Sequence, residues 1–221
     1  MQPESRFLPP GLAASLSRAV AHDLEETGIA EVAMSVFGDR EVVPLWFGEG
    51  DLVTPDFVRE AAAKSLAMGE TFYTWQKGIP ELRQALARYY ARHFGKTFPE
   101  EEFIVTGSGM HAIQLALDAV AGAGDEVVYL SPAWPNFDAA AAIAGAVPVP
   151  VTLDQSGNGW SCDVEKIAAS ITPRTKALFI NTPSNPTGWT ADHETLQAIL
   201  DLARAQNLRI IRQRIRIDHR H

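Results

Sequence analysis

Four loops hold residues whose types and spacing suit the binding of a small, anionic, ring-bearing molecule. The first is TGSGMHA, residues 106–112. Gly107 and Gly109 allow a ligand to approach the backbone closely, and a helix starting there would offer free N–H groups and a positive dipole end to an anion. The second is SPAWPNF, residues 131–137, where Trp134 stands between Pro132 and Pro135. An indole there either lies flat against a ring or completes the core. The third is NTPSNPTG, residues 181–188. Pro183 and Pro186 fix their own φ and bias Thr182 and Asn185 towards extended geometry, while Gly188 permits a sharp exit. Asn185 is then either an ordinary turn residue or an amide offering both donor and acceptor to a ligand. The fourth is the aromatic-rich TFYTWQKGIPEL, residues 71–82, in which the Tyr73 phenol could reach a phosphate or simply face solvent.

Other candidates carry less. The G-x-G-x-x-A pattern of Gly107, Gly109 and Ala112 also fits a dinucleotide site, but such a site wants an acid after the second strand. Here Asp125 and Glu126 come ahead of that strand and Ser131-Pro132 follows it, so the loop reads as a phosphate site. His111 has no partner acid at a telling spacing and reads as structural. Cys162 has no basic neighbour to activate it. No group of residues has metal-ligand spacing.

These loops need a frame. Apolar runs over 103–105, 127–130, 147–151, 177–180 and 208–211 predict strands. Helical periodicity or cap chemistry predicts helices over 57–66, 80–94, 112–120, 138–143, 164–170 and 193–205. Thr54 and Pro55 have the chemistry of a helix start, and a further helix is expected over 12–26, ended by Gly28. Strands alternating with helices imply an α/β fold, a largely parallel sheet sandwiched by helices. Each of the binding loops at 131 and 181 then follows a strand, at the carboxyl ends where open α/β sheets bind ligands.

Composition bounds the rest. With 221 residues, 46% apolar and 21% charged, the chain can bury a substantial core. The formal net charge of -8 argues against nucleic acid as a partner. A single cysteine, with no signal sequence and no membrane-length apolar run, leads to the expectation of a cytoplasmic protein.

In order along the chain, FGEGDLVTP, YTWQKGIPELR, VTGSGMHAI, GDEVVYLSPAWPNF, ITPRTKALFINTPSNPTG and the helix after it resemble the N-terminal part of the class I/II aminotransferases, the fold-type I pyridoxal-phosphate enzymes. The resemblance implies pyridoxal 5'-phosphate as cofactor. It also implies amino-group transfer between an amino acid and a 2-oxo acid, by a ping-pong route. Ser108, Gly109 and Met110 match the turn that holds the cofactor phosphate. Trp134 matches the aromatic stacked on the pyridine ring, and Asn185 the asparagine that bonds the ring's phenolic oxygen. Tyr73 matches a tyrosine that reaches the phosphate of a neighbouring subunit, implying a homodimer. Gly48 matches a glycine whose backbone touches the substrate carboxylate. The implied organisation is an arm and small-domain part over 1–47, an incomplete large domain over 48–211, and an aberrant basic tail over 212–221.

The sequence also departs from the family. After the strand at 208–211 the family carries D-E-x-Y, whose Asp pairs with the pyridinium nitrogen. Further on come S-x-S-K, with the Schiff-base lysine, and a carboxylate-binding arginine. Here RQRIRIDHRH follows instead, Asp218 stands in the wrong context, and none of Lys64, Lys77, Lys96, Lys166 and Lys176 matches S-x-S-K. The expectation is therefore a truncated aminotransferase, disrupted near Ile211 and inactive as it stands, with no catalytic residue of its own. A genuinely short protein with a basic edge strand is the competing reading. A carbon–sulfur lyase on the same fold and a non-catalytic interaction module are the functional alternatives. A transcription regulator would need a basic DNA-binding pattern ahead of Gly48, and none is there.

Overall fold

A computed structural model describes residues 18–24, 28–43, 45–46, 48, 52–157 and 159–214. The arm over 1–10, most of the helix expected over 12–26, and positions 215–221 of the tail, Asp218 among them, lie outside those residues. The chain divides into two compact units, Glu26–Gly107 and Met1–Glu25 with Ser108–His221.

The second unit is built on a four-stranded sheet, β1 (Glu126–Ser131), β2 (Val147–Thr152), β5 (Thr175–Asn181) and β6 (Arg209–Gln213), in the order β2-β1-β5-β6. All three pairings are parallel, so every strand ends on the same edge. Helix α5 (Gly109–Val120) leads into β1, and α6 (Asn136–Ala144), α7 (Val164–Ser170) and α8 (His193–Ala205) lie between successive strands. A short helix α1 (Val20–Asp23) lies against α6. β1 and β5 are nearly continuous apolar runs because both faces are covered. One face packs Val127, Tyr129, Ala177 and Phe179 with Leu117 and Phe137. The other packs Val128, Leu130, Leu178 and Ile180 with Ile167, Trp189 and Ile199. The Phe137 and Phe179 rings stack at 4.0 Å, and burying each side chain contributes about 1.5–3 kcal/mol. A separate hairpin, β3 (Asp154–Ser156) with β4 (Gly159–Ser161), follows β2.

The amino edge of the sheet is held electrostatically. Glu126, 4% exposed, accepts bonds from Thr172 Oγ1 at 2.5 Å, Arg174 Nε at 2.9 Å and Thr175 Oγ1 at 3.3 Å. Lys176 lies 3.8 Å from Asp125 beside it.

The two sheet edges differ in what they can accept. Val147 N donates to Asp125 O at 2.8 Å and Leu153 N to Ser131 O at 2.7 Å, so odd-numbered residues of β2 face β1. Pro148 and Pro150 therefore occupy the outward positions, where they remove the donors a further strand would need. On β6, Gln213 O accepts from Thr182 N at 3.3 Å. By the same alternation Ile210 and Arg212 turn their backbone groups outward, with no proline to block them.

In the unit Glu26–Gly107 the elements are α2 (Gly28–Ser35), α3 (Asp56–Ala67), α4 (Pro80–Phe94) and a 3-10 turn (Glu100–Glu102). Tyr90 stands edge-on to Phe94, Phe98 and Phe103 at 5.2–6.0 Å. Gly78 has φ 98°, and a Cβ there would lie 2.7 Å from Val105 Cγ2, so only glycine fits this approach.

Three sequence expectations change. Gly28 begins a helix and does not end one. Residues 103–105 form no strand: Val105 N bonds to the Lys77 carbonyl at 3.0 Å, and no ladder partner is present among the described residues. Thr54 does not cap α3, because Pro55 is itself the N-cap and carries no side-chain acceptor. No described helix is long and apolar enough to cross a membrane.

Two outcomes are expected. Replacing Pro148 and Pro150 by Thr restores outward donors on β2 and should accelerate concentration-dependent aggregation, read by light scattering; an unchanged rate contradicts the edge argument. The bonds from Thr172 and Arg174 hold the Glu126 carboxyl below its ordinary 4.5. A depressed carboxyl stabilises the fold above its ordinary range and loses that contribution as pH falls through its folded value. Glu126→Gln should therefore cost stability in urea denaturation at pH 7, with the gap to wild type closing as pH falls below the ordinary carboxylate range.

Candidate functional site

The carboxyl edge of the sheet gathers three of the four loops. α5 precedes β1 and runs antiparallel to it, returning through the 122–125 turn, so its first residues lie at the strands' carboxyl end. Ser108 is its N-cap: extended at φ -160°, it accepts the His111 N–H on its hydroxyl at 3.1 Å. The Gly109 and Met110 N–H groups fall in the first turn, where no intrahelical acceptor exists. A Cβ placed on Gly107 or Gly109 meets no atom within 4 Å, so neither glycine is crowded by a neighbour. Ser108 and Gly109 are exposed and Met110 is half-buried against the core.

Trp134 follows β1. Its carbonyl accepts the Phe137 N–H at 3.1 Å as α6 begins, and its side chain is half-buried. It does not belong to either core cluster, which leaves part of the indole facing outward.

Asn185 follows β5 and is exposed. The loop beneath it is closely tied. Thr182, 2% exposed, accepts the Ala191 N–H on Oγ1 at 2.9 Å. Ser184 N donates to Trp189 O at 2.8 Å and Gly188 N to Ser184 O at 2.9 Å. Asn185 N donates to Asn181 Oδ1 at 2.7 Å, and Asn181 Nδ2 donates to Gln213 O at 3.3 Å. Sequence reasoning singled out Asn185 and passed over Asn181; the signal available was a polar residue closing a run of apolar strand positions.

Gly48 and Tyr73 belong to the unit Glu26–Gly107. Tyr73 is fully exposed, at 108%, and Gly48 is exposed with open space at its Cβ position. His111 is exposed in the first turn of α5, with its backbone bound to the cap. Cys162 is half-buried and its thiol is pushed up to about 11 by burial, with Asp163 and Asp154 adding to the effect, which leaves it unreactive near neutrality.

Each lysine of the second unit is held by a carboxylate. Lys166 pairs with Asp154 and Lys176 lies by Asp125 at the amino edge. Lys77 donates to the Glu101 carbonyl at 3.1 Å, and Lys64 and Lys96 are exposed in Glu26–Gly107. Among the described residues, no group of three or more His, Cys, Asp or Glu could hold a metal ion.

Against known proteins, the family model for aminotransferase class I and II matches residues 41–212. The aspartate/prephenate aminotransferase of Thermus thermophilus is 44% identical over 164 residues, covering 74% of this chain and 42% of the relative. The structure of the Thermus thermophilus aspartate aminotransferase with maleate superposes with a TM-score of 0.83 at 36% identity, covering 90% of this chain and 53% of that one. The N-succinyldiaminopimelate aminotransferase of Mycobacterium tuberculosis gives a TM-score of 0.83 at 32% identity, covering 89% and 51%. The chain thus spans about half the length of the relatives it matches.

The cap geometry makes a prediction. Ser108→Ala should lower stability by about 1 kcal/mol and Ser108→Gly by only a few tenths. Equal losses in chemical denaturation would show that the hydroxyl contributes nothing to the helix.

Proposed function

The chain belongs to the class I and II aminotransferases, and from that premise we propose that its carboxyl-edge loops hold pyridoxal 5'-phosphate for amino-group transfer between an amino acid and a 2-oxo acid. The observation that carries this reading is the convergence on one edge of a capped helix start, a half-buried indole and an exposed amide on a closely tied turn. The donor set fits a phosphate: two first-turn N–H groups and a serine hydroxyl, flanked by two uncrowded glycines. Covalent attachment is not offered by this unit's own lysines, Lys166 and Lys176, which are held by Asp154 and Asp125.

When bound, the cofactor supplies an electron sink for the transfer. The residues here bind and orient. Ser108, Gly109 and Met110 receive the phosphate, with the α5 dipole favouring the anion. Trp134 lies along the ring face, excluding water from one side. Asn185 donates its side-chain amide to the phenolic oxygen. Tyr73 serves the phosphate of a second copy in a homodimer, a reading supported by its full exposure and by the exposed Phe57, Leu66, Phe72 and Trp75 of the same unit. Gly48 meets the substrate carboxylate through its backbone. The stretch 48–211 acts as the cofactor-binding domain, with 1–47 belonging to a smaller one.

These 221 residues alone should bind pyridoxal 5'-phosphate reversibly and weakly, with negligible transamination. Incubation with the cofactor, borohydride reduction and intact-mass analysis is expected to give no defined single-lysine adduct. A stable adduct on one lysine, accompanied by turnover, contradicts the assignment.

A further inference from the structure

We propose that Asn181 is the positioning residue of the site, a buried amide that locks the Asn185 turn to the carboxyl end of β6; its cofactor consequence rests on the reading of Asn185 given above. Asn181 is the last residue of β5 and 9% exposed. A polar side chain buried to that degree needs partners, and it has two of opposite kinds. Its Oδ1 accepts the Asn185 N–H at 2.7 Å, and its Nδ2 donates to the Gln213 carbonyl at 3.3 Å. One neighbour can only donate and the other can only accept, so a single orientation of the amide satisfies both.

The turn depends on this bridge because its own backbone is short of donors. Pro183 and Pro186 have none. Ser184 and Gly188 close the loop on Trp189 and Ser184, and Thr182 ties it to Ala191 and Gln213. The N–H beneath the Asn185 side chain is bound to Asn181 Oδ1, the shorter of the two bonds that the Asn181 amide makes. Gln213 O is shared between Asn181 Nδ2 and Thr182 N, both at 3.3 Å, so the end of β6 and the turn are held as one piece. Alanine here removes both links. Aspartate keeps an acceptor for the Asn185 N–H but has no amide donor for Gln213.

The test compares the 221-residue wild type with Asn181→Ala and Asn181→Asp. It uses isothermal titration with pyridoxal 5'-phosphate and, separately, with inorganic phosphate, alongside hydrogen exchange at the Asn185 amide. The wild type should bind pyridoxal 5'-phosphate more tightly than phosphate and protect the Asn185 N–H. Asn181→Ala should lose about tenfold in pyridoxal 5'-phosphate affinity, keep phosphate affinity within about twofold, and lose the protection. Asn181→Asp should recover the protection and part of the affinity. Unchanged affinity and exchange in Asn181→Ala overturn the inference, as does an equal loss for both ligands, which would mark a general structural defect. A wild type that binds the two ligands alike, with the Asn185 N–H still protected through Asn181, overturns the cofactor reading and leaves the lock itself supported.

Discussion

The site depends on the hydrogen-bond ladder that places β5 between β1 and β6. That strand is buried on both faces and paired on both sides, with Val128 opposite Leu178 and Leu178 opposite Ile210. Because side chains alternate with period two, a one-residue slip would move Leu178 and Ile180 from one core to the other. The register is therefore held by two separate apolar clusters at once. Parallel pairing then brings the ends of β1 and β5 to the same edge. Asn181 lies level with Gln213, which is what lets a side-chain amide span from one strand's end to the next.

The two edges of this sheet divide the electrostatic work. The amino edge pairs its charges: Glu126 is enclosed by Thr172, Arg174 and Thr175, and Asp125 faces Lys176. Those groups satisfy one another and bind the start of β1 to the turn before β5. The carboxyl edge instead leaves donors open, in the first turn of α5 and on Asn185. A buried ion pair there would have consumed the groups a ligand needs. The cost of open donors is small because water reaches them, whereas at the amino edge a lone Glu126 carboxylate would be expensive to bury.

Much of this was legible in the sequence, and the exceptions have physical causes. α7 and α8 appear at the expected residues, and the structure caps them with Asp163 and Asp192. The strand read over 177–180 extends to Thr175 and Asn181: polar ends of a strand break the apolar signal without breaking the ladder. The opposite error occurs over 103–105, where an apolar run finds no partner strand, because periodicity reports side-chain burial and not backbone pairing. The β3–β4 hairpin was missed, being short and polar, although its Gly157 and Gly159 flank the turn. In the site, Ser108, Trp134 and Asn185 could be picked out from turn chemistry and strand ends. Asn181 closes an apolar strand run, but the partner its amide meets, Gln213, is remote in sequence.

The central claim is that the open donors of the carboxyl edge receive a phosphorylated pyridine. Amide chemical shifts followed during titration with pyridoxal 5'-phosphate test it most directly. The largest saturable shifts are expected on the Gly109 and Met110 N–H groups, the Trp134 indole N–H and the Asn185 side-chain amide. Shifts centred on Glu126, Arg174 and Lys176 at the amino edge, with those four groups unmoved, would contradict it.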